Sequence, residues 1–220
     1  MRPDARIVAM FREPASFVRS LHLQLLSAHE ETEKSFRRAV ELEDARREGK
    51  QLPRYAYWPE TLLYCDRVKY VEQLQRYRAV FPQEQLLVLI YEDFRADNEG
   101  TLRRLMRFLD VDETHDVKVV QANSTVGVRS VRLDELRRSL RAGRGPGLRM
   151  LRDLGKAVTT QRMREALYYP LMRRTVYTKP PAVDEELMHE LRRRFKPEVI
   201  ALSEYLERDL VKLWGYESLD

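Results

Sequence analysis

The sequence predicts a helix-rich α/β fold built on an incomplete parallel sheet. Two short apolar runs, residues 6–11 and 86–91, have the composition of strands, and a helical pattern follows each of them. Strands that alternate with helices are typical of parallel sheets. The 34% of charged residues favours long solvated helices, and only 8 glycines in 220 residues argue against an all-β protein. Two strands are too few for a complete doubly wound sheet.

The first strand is joined to its helix by Arg12-Glu13-Pro14. Pro14 suits the first helical turn, because the N–H that proline lacks would have no intrahelical partner there. Phe17, Leu21 and Leu25 then recur at intervals of four residues, which predicts one buried helix face. The segment is therefore expected to form a strand, a tight turn and a helix.

Between the two strands the sequence predicts long helical crossovers around an aromatic loop. Residues 27–49 are strongly charged, which favours a helix exposed at the surface, and residues 51–60 combine prolines with tyrosines and a tryptophan, as a loop does. A further helical stripe follows, formed by Tyr64, Val68, Val71, Leu74 and Tyr77.

The second strand is the more apolar of the two. Residues 86–91 are continuously apolar, as expected for a strand buried on both faces of a parallel sheet. Asp97 or Asn98 can cap the helix that follows. Near the end of the chain, an apolar stripe over residues 187–213 predicts a helical pair that is broken at Pro197.

The positive charge is concentrated in one segment. The whole chain has 40 Lys and Arg against 35 Asp and Glu, whereas residues 129–179 alone hold 14 Lys or Arg and 4 Asp or Glu, a net +10. A basic helical segment of this kind attracts nucleotide phosphates, an acidic glycan, a membrane face or nucleic acid, unless it is a solvated surface. Its apolar positions suit a membrane-surface contact or ordinary packing, and packing is favoured.

Composition also limits the compartment. The longest apolar run, residues 86–91, is far shorter than the ~20 residues that cross a bilayer. No N-terminal segment has the pattern of a signal peptide. The single cysteine, Cys65, excludes a disulfide framework within the chain and a zinc site built from cysteines. A cytoplasmic location is therefore expected.

Polar side chains follow both predicted strands. Arg12 stands at the end of the first strand and Tyr91 at the end of the second, while Ser20 lies about two turns into the first helix. Ligands of parallel sheets bind outside the carboxyl ends of the strands, where an arginine and a serine can hold a phosphate and a tyrosine can pack on a purine. In the structural alternative, Arg12 pairs with Glu13 or a neighbouring helix, Ser20 faces solvent and Tyr91 is a buried edge aromatic.

Together these motifs resemble those of bacterial sulfotransferases that depend on 3′-phosphoadenosine 5′-phosphosulfate (PAPS). Residues 7–20 resemble the strand, loop and helix that hold the 3′-phosphate in that family, and residues 86–109 resemble its second core strand and helix. Residues 36–53 and 70–77 are similar to helices of many bacterial members, and residues 181–215 to the closing helical pair. The resemblance implies a P-loop nucleoside-triphosphate-hydrolase-like sheet, here incomplete.

The resemblance also implies site residues. Arg12 and Ser20 match the ligands of the 3′-phosphate, and Tyr91 is similar to an adenine contact. Ser124 falls where the family places a small hydroxyl residue near the nucleotide. Lys179 takes the place of a Lys-Gly-Arg loop that closes over the 3′-phosphate in glycan sulfotransferases; Arg173 and Arg174 are alternatives.

One departure concerns the family's first strand and phosphate loop. The Lys-Ser-Gly-Thr-Thr-like turn that holds the 5′-phosphosulfate is absent, and Gly49-Lys50 and Gly155-Lys156 lack its spacing and its hydroxyl. The chain is therefore expected to be a single sulfotransferase-like domain over residues 1–220, truncated at its N-terminus relative to the family. The alternative function is a truncated or degenerate domain that binds nucleotide, or a partner, without catalysis.

The reaction that the resemblance implies is in-line transfer of a sulfuryl group to a hydroxyl or amine of an unidentified small molecule, glycan or lipid. The general base is not identified: His22 faces away from Ser20, and His29, His115 and His189 are expected at the surface. No residues have the spacing of metal ligands, so no metal is expected. The absence of a recognition-helix motif argues against a nucleic-acid partner.

Overall fold

The computed structural model of the chain describes residues 4–54, 56–113 and 180–219, together with the backbone of residues 127–128 and 177–178. In chain order, the described strands and α-helices are β1 (Ile7–Phe11), α1 (Pro14–Ala28), α2 (Phe36–Glu41), α3 (Glu43–Arg47), α4 (Tyr70–Arg78), β2 (Leu86–Ile90), α5 (Tyr91–Ala96), α6 (Asn98–Leu109), β3 (Gly127–Val128), β4 (Tyr177–Thr178), α7 (Glu185–Tyr205) and α8 (Leu210–Leu213). Short 3₁₀ helices cover Pro59–Leu62, Cys65–Val68 and Gln83–Gln85.

Two compact units make up the chain. The first contains Met1–Arg19, Tyr64–Ser124 and Asp184–Asp220, and the second contains Ser20–Leu63 and Thr125–Val183. Among the described helices, none has both the length and the apolar composition needed to cross a membrane.

The sheet of the first unit is a parallel pair, as predicted. β1 pairs with β2 in a register that begins with Ile7 opposite Leu86 and ends with Phe11 opposite Ile90. The two strands therefore end side by side. β2 buries Leu87, Leu89 and Ile90, but its other two residues are half-buried, so the expected burial of both faces is incomplete. In the second unit, β3 pairs antiparallel with β4.

The long helix of the first unit departs from one prediction. α7 continues through Pro197, whereas the sequence predicted a break there. A proline removes one backbone hydrogen bond, but the apolar stripe keeps its helical spacing on both sides of it, with Leu191, Phe195, Val199 and Leu202 all buried. Burial of this stripe outweighs the missing bond. α7 packs against α4, where Glu198 Oε1 accepts a hydrogen bond from the Val71 amide at 2.9 Å.

The second unit overturns the expectation of an exposed charged helix over residues 27–49. Instead of one helix, the segment forms the end of α1, then α2 and α3, and several of its charged side chains are buried. Glu31 and Arg46 form an ion pair of 2.7 Å with side chains only 0% and 1% exposed. His29, predicted at the surface, is 4% exposed. Glu31 and Arg46 are buried as a pair, which a count of charges does not reveal.

Candidate functional site

The register of the sheet places Arg12 beside Tyr91. Each is the first residue after its strand, and the Arg12 guanidinium carbon lies 4.9 Å from the centroid of the Tyr91 ring. This distance is within the range of a cation–π contact. Both residues are half-buried. The structure thus brings together two of the predicted site residues at the carboxyl edge of the parallel pair.

The backbone of Arg12 is fixed by Tyr70. The Tyr70 hydroxyl donates a hydrogen bond to the Arg12 carbonyl oxygen at 3.2 Å, and its ring packs against Phe11 with a centroid distance of 4.6 Å. Burial raises the pKa of the Tyr70 hydroxyl, and the negative charge of Glu13 raises it further, so the group stays protonated and able to donate. Tyr70 therefore holds the Arg12 backbone at the end of β1.

The carboxylate of Glu13 is bound to the start of α1 and to the C-terminal segment. Its Oε1 accepts from the Ala15 amide at 3.0 Å and its Oε2 from the Ser16 amide at 2.7 Å, which caps the helix. Oε1 also accepts from the Tyr216 hydroxyl at 2.5 Å, and Arg192 Nε lies 3.6 Å from the same oxygen. Glu13 is only 6% exposed, so these partners account for its burial.

Arg12 has no carboxylate partner among the described residues. Throughout the part of the chain that the structure describes, its guanidinium contacts the Tyr91 ring but forms no ion pair. The alternative in which Arg12 pairs with Glu13 is therefore wrong. A half-buried guanidinium beside an aromatic face is suited to an anion attached to a flat ring, because the fork of N–H groups binds the anion while the ring stacks.

The two carboxylates that follow Tyr91 are also held by the C-terminal segment. Trp214 Nε1 donates to Glu92 Oε2 at 2.9 Å. Arg208 binds both oxygens of Asp93, at 2.5 and 2.6 Å, and this hydrogen bonding lowers the pKa of Asp93. Sequence reasoning missed Tyr216, Trp214 and Arg208 because they lie more than a hundred residues from their partners. One indication of such partners was present in the sequence: a carboxylate next to the end of a buried strand needs a hydrogen-bond donor.

The other predicted residues are placed less fully. Ser20 lies in the second turn of α1, is half-buried, and its hydroxyl forms no hydrogen bond with the described residues. Ser124 and Lys179 lie outside the described residues, as do Arg173 and Arg174. The described ranges contain no group of three or more His, Cys, Asp or Glu that could hold a metal ion.

His22 belongs to the core of the second unit. Its Nε2 donates to the Glu33 carbonyl oxygen at 2.8 Å, and its ring lies 5.3 Å from that of Phe36. Burial lowers the pKa of this histidine, which is only 1% exposed. His189 is exposed on α7, as predicted, and His115 lies outside the described residues. None of the described histidines is thus placed as a base beside Arg12.

Comparisons with known proteins bear on the family and the fold. A family model described as the sulfotransferase family matches residues 1–116. The chain is also similar to the crystal structure of a sulfotransferase from Alicyclobacillus acidocaldarius, with a TM-score of 0.55 and 22% identity. That similarity covers 97% of this chain and 58% of the other, so this chain spans little more than half of its length. No curated protein sequence matches the chain.

The similarity to the solved sulfotransferase supports the predicted P-loop-like α/β fold. The family match covers more than half of the 220 residues, including β1, β2 and the Arg12–Tyr91 pair. The chain therefore belongs to the sulfotransferase family, a family of transferases.

Proposed function

We propose that this chain binds PAPS and transfers its sulfuryl group to a hydroxyl or amine of an acceptor. The observation that carries the proposal is the Arg12 guanidinium, which has no carboxylate partner in the described structure and lies 4.9 Å from the Tyr91 ring. A 3′-phosphoadenosine group joins a dianion to a flat purine. The arginine fork suits the phosphate, and the tyrosine face suits the base.

Each residue has a separate role in the proposed complex. Arg12 binds the 3′-phosphate and Tyr91 packs against adenine, while Tyr70 and Glu13 hold the backbone on which Arg12 is mounted. Ser20 is proposed as a second phosphate donor on the family resemblance. Ser124 and Lys179 are proposed on the resemblance alone.

When bound, PAPS supplies the activated sulfuryl group. Transfers of this type resemble phosphoryl transfer, in which positioning and neutralisation of charge provide most of the barrier reduction. The contribution of Arg12 and Tyr91 is to hold the nucleotide at one edge of the sheet. Because the sequence has no Lys-Ser-Gly-Thr-Thr-like turn, nucleotide binding without catalysis is the second candidate function.

The acceptor and the location rest on the sequence. The proposed acceptor is a small molecule, glycan or lipid, and the basic segment of residues 129–179, with its net +10, suits an anionic acceptor or the surface of a membrane. The proposed location is the cytoplasm. A nucleic-acid partner is not proposed.

Calorimetry with adenosine 3′,5′-bisphosphate, the product nucleotide of the family, tests the proposed site. We expect micromolar binding to the wild-type chain and about 10- to 150-fold weaker binding to Arg12→Ala, since a charge-assisted hydrogen bond contributes ~1.5–3 kcal/mol. Arg76→Ala is the matched control, because this arginine of the same unit is 73% exposed and pairs with Glu72. Equal affinity of a folded Arg12→Ala variant would contradict the proposal.

A turnover assay separates the two candidate functions. The chain is incubated with PAPS and a panel of hydroxyl and amine acceptors, and formation of the bisphosphate product is followed. Acceptor-dependent turnover that Arg12→Ala lowers supports the transferase. Tight bisphosphate binding with no turnover on any acceptor favours the binding module.

A further inference from the structure

The C-terminal segment ends in a turn that fixes two aromatic side chains. After α8, Gly215 adopts a left-handed conformation with φ of +72°. The Gly215 amide donates to the Lys212 carbonyl at 3.1 Å and the Tyr216 amide to the Val211 carbonyl at 2.8 Å, which is a Schellman motif. Trp214 and Tyr216 therefore flank this glycine on a defined backbone, and they are 5% and 0% exposed.

These two side chains bind the carboxylates next to the proposed site residues. Tyr216 donates to Glu13, the neighbour of Arg12, and Trp214 donates to Glu92, the neighbour of Tyr91. A single turn of the chain thus occupies both acidic residues that border the Arg12–Tyr91 pair. Burial and the charge of Glu13 raise the pKa of Tyr216, so its hydroxyl stays a donor.

The bond from Tyr216 has a consequence for Arg12. Glu13 is buried, and a buried carboxylate that loses a donor attracts another one strongly. Two cations then compete to replace the hydroxyl: Arg192, whose Nε already lies 3.6 Å from the same oxygen, and Arg12, which precedes Glu13 and has no ion pair with the described residues. An internal Arg12–Glu13 pair would oppose the binding of an external anion, because both draw on the same guanidinium.

We propose that Tyr216 is a positioning residue of the anion site: by occupying Glu13, it keeps Arg12 available for the 3′-phosphate of the nucleotide. This inference rests on the proposed function and extends it to a residue outside the sheet edge. Loss of the Tyr216 hydroxyl should weaken recognition of the 3′-phosphate and leave recognition of the rest of the nucleotide intact.

The test compares two nucleotides that differ only in that phosphate. Affinities for adenosine 3′,5′-bisphosphate and for adenosine 5′-monophosphate are measured by calorimetry, at a temperature where every variant is folded by circular dichroism. For Tyr216→Phe we expect a loss of about fivefold for the bisphosphate, the size of one ordinary hydrogen bond, and less than about twofold for the monophosphate. A purely structural role would change both affinities together.

Tyr205→Phe is the matched control. Tyr205 ends α7 in the same unit, and its hydroxyl accepts a hydrogen bond from Arg78 at 3.1 Å, with no link to Glu13 among the contacts of the described chain. Removing this hydroxyl should leave the preference for the bisphosphate unchanged. In a Glu13→Gln background, where the competing charge is gone, Tyr216→Phe should have no further effect on the preference.

The outcomes separate this inference from the function on which it rests. If Arg12→Ala abolishes the preference for the bisphosphate while Tyr216→Phe retains it, the role of Tyr216 is overturned and the proposed function stands. If the wild-type chain shows no preference for the bisphosphate, the anion site itself is overturned, and the role of Tyr216 with it.

Discussion

Helix α1 has a buried carboxylate near each end, and the two have different partners. Glu31, just after the helix, accepts from the amides of Thr32 and Glu33 at 2.7 and 2.8 Å and binds both terminal nitrogens of Arg46 at 2.7 and 2.9 Å. Glu13, just before the helix, binds two amides and the Tyr216 hydroxyl, with Arg192 at 3.6 Å. In the first arrangement, the carboxylate pairs with both terminal nitrogens of a buried arginine. In the second, the Tyr216 hydroxyl is bound instead of a bidentate arginine, and the adjacent Arg12 forms no ion pair with the described residues.

Arg46→Ala should have the largest effect of any change considered. It removes the bidentate ion pair of a buried carboxylate, so we expect a loss of about 3–5 kcal/mol in the free energy of unfolding. Urea denaturation measures it. Arg12→Ala is the control, with an expected loss below ~1 kcal/mol because no ion pair is removed. Similar losses in the two variants would break the distinction between the two arginines.

The same contrast between local and distant partners explains which elements could be predicted from the sequence. Apolar runs and Pro14 act locally on the backbone, so the sequence predicted β1, the start of α1 and β2. The arrangement of residues 27–49 was not predicted, because burial of Glu31 depends on whether Arg46 reaches it across fifteen residues. A charge pattern gives the number of charges, but burial is decided by their pairing.

The candidate site also has one part that the sequence predicted and one part that it did not. Parallel strands end at one edge, so the proximity of Arg12 and Tyr91 follows from their positions alone. The donors that hold Glu13 and Glu92 could not be predicted. Tyr216 lies 203 residues from Glu13, and no local pattern connects them. Sequence position therefore predicted the proximity of Arg12 and Tyr91, while the residues that bind the neighbouring carboxylates required the three-dimensional structure.

His22 gives the second unit a dependence on pH. Burial lowers its pKa below the ordinary 6.5, so below that pH the unfolded chain binds a proton that the folded chain resists. Stability should therefore fall as the pH drops through 6.5 towards the folded-state pKa. Urea denaturation at about pH 7.5 and about pH 5.5 measures the difference, which His22→Gln should reduce.

His189→Gln is the matched control for this experiment, because His189 is exposed on α7. Its substitution should leave the difference between the two pH values unchanged. If His22→Gln did not alter that difference while the protein remained folded, burial of the imidazole would not be the source of the pH dependence.

The smallest effect is expected at Arg208, which binds Asp93 with both terminal nitrogens yet lies near the surface. The two side chains are 38% and 42% exposed, so the pair should contribute less than ~1 kcal/mol despite its geometry. The hydrogen bond lowers the pKa of Asp93, so this contribution is present above the ordinary carboxyl pKa and is lost as the pH falls through the folded-state value. Arg208→Ala, followed by urea denaturation in low and high salt, should show a small loss that salt reduces. A loss as large as that of Arg46→Ala would mean that burial is not what makes the Glu31–Arg46 pair structural, since both pairs are bidentate and the Glu31–Arg46 pair is the buried one.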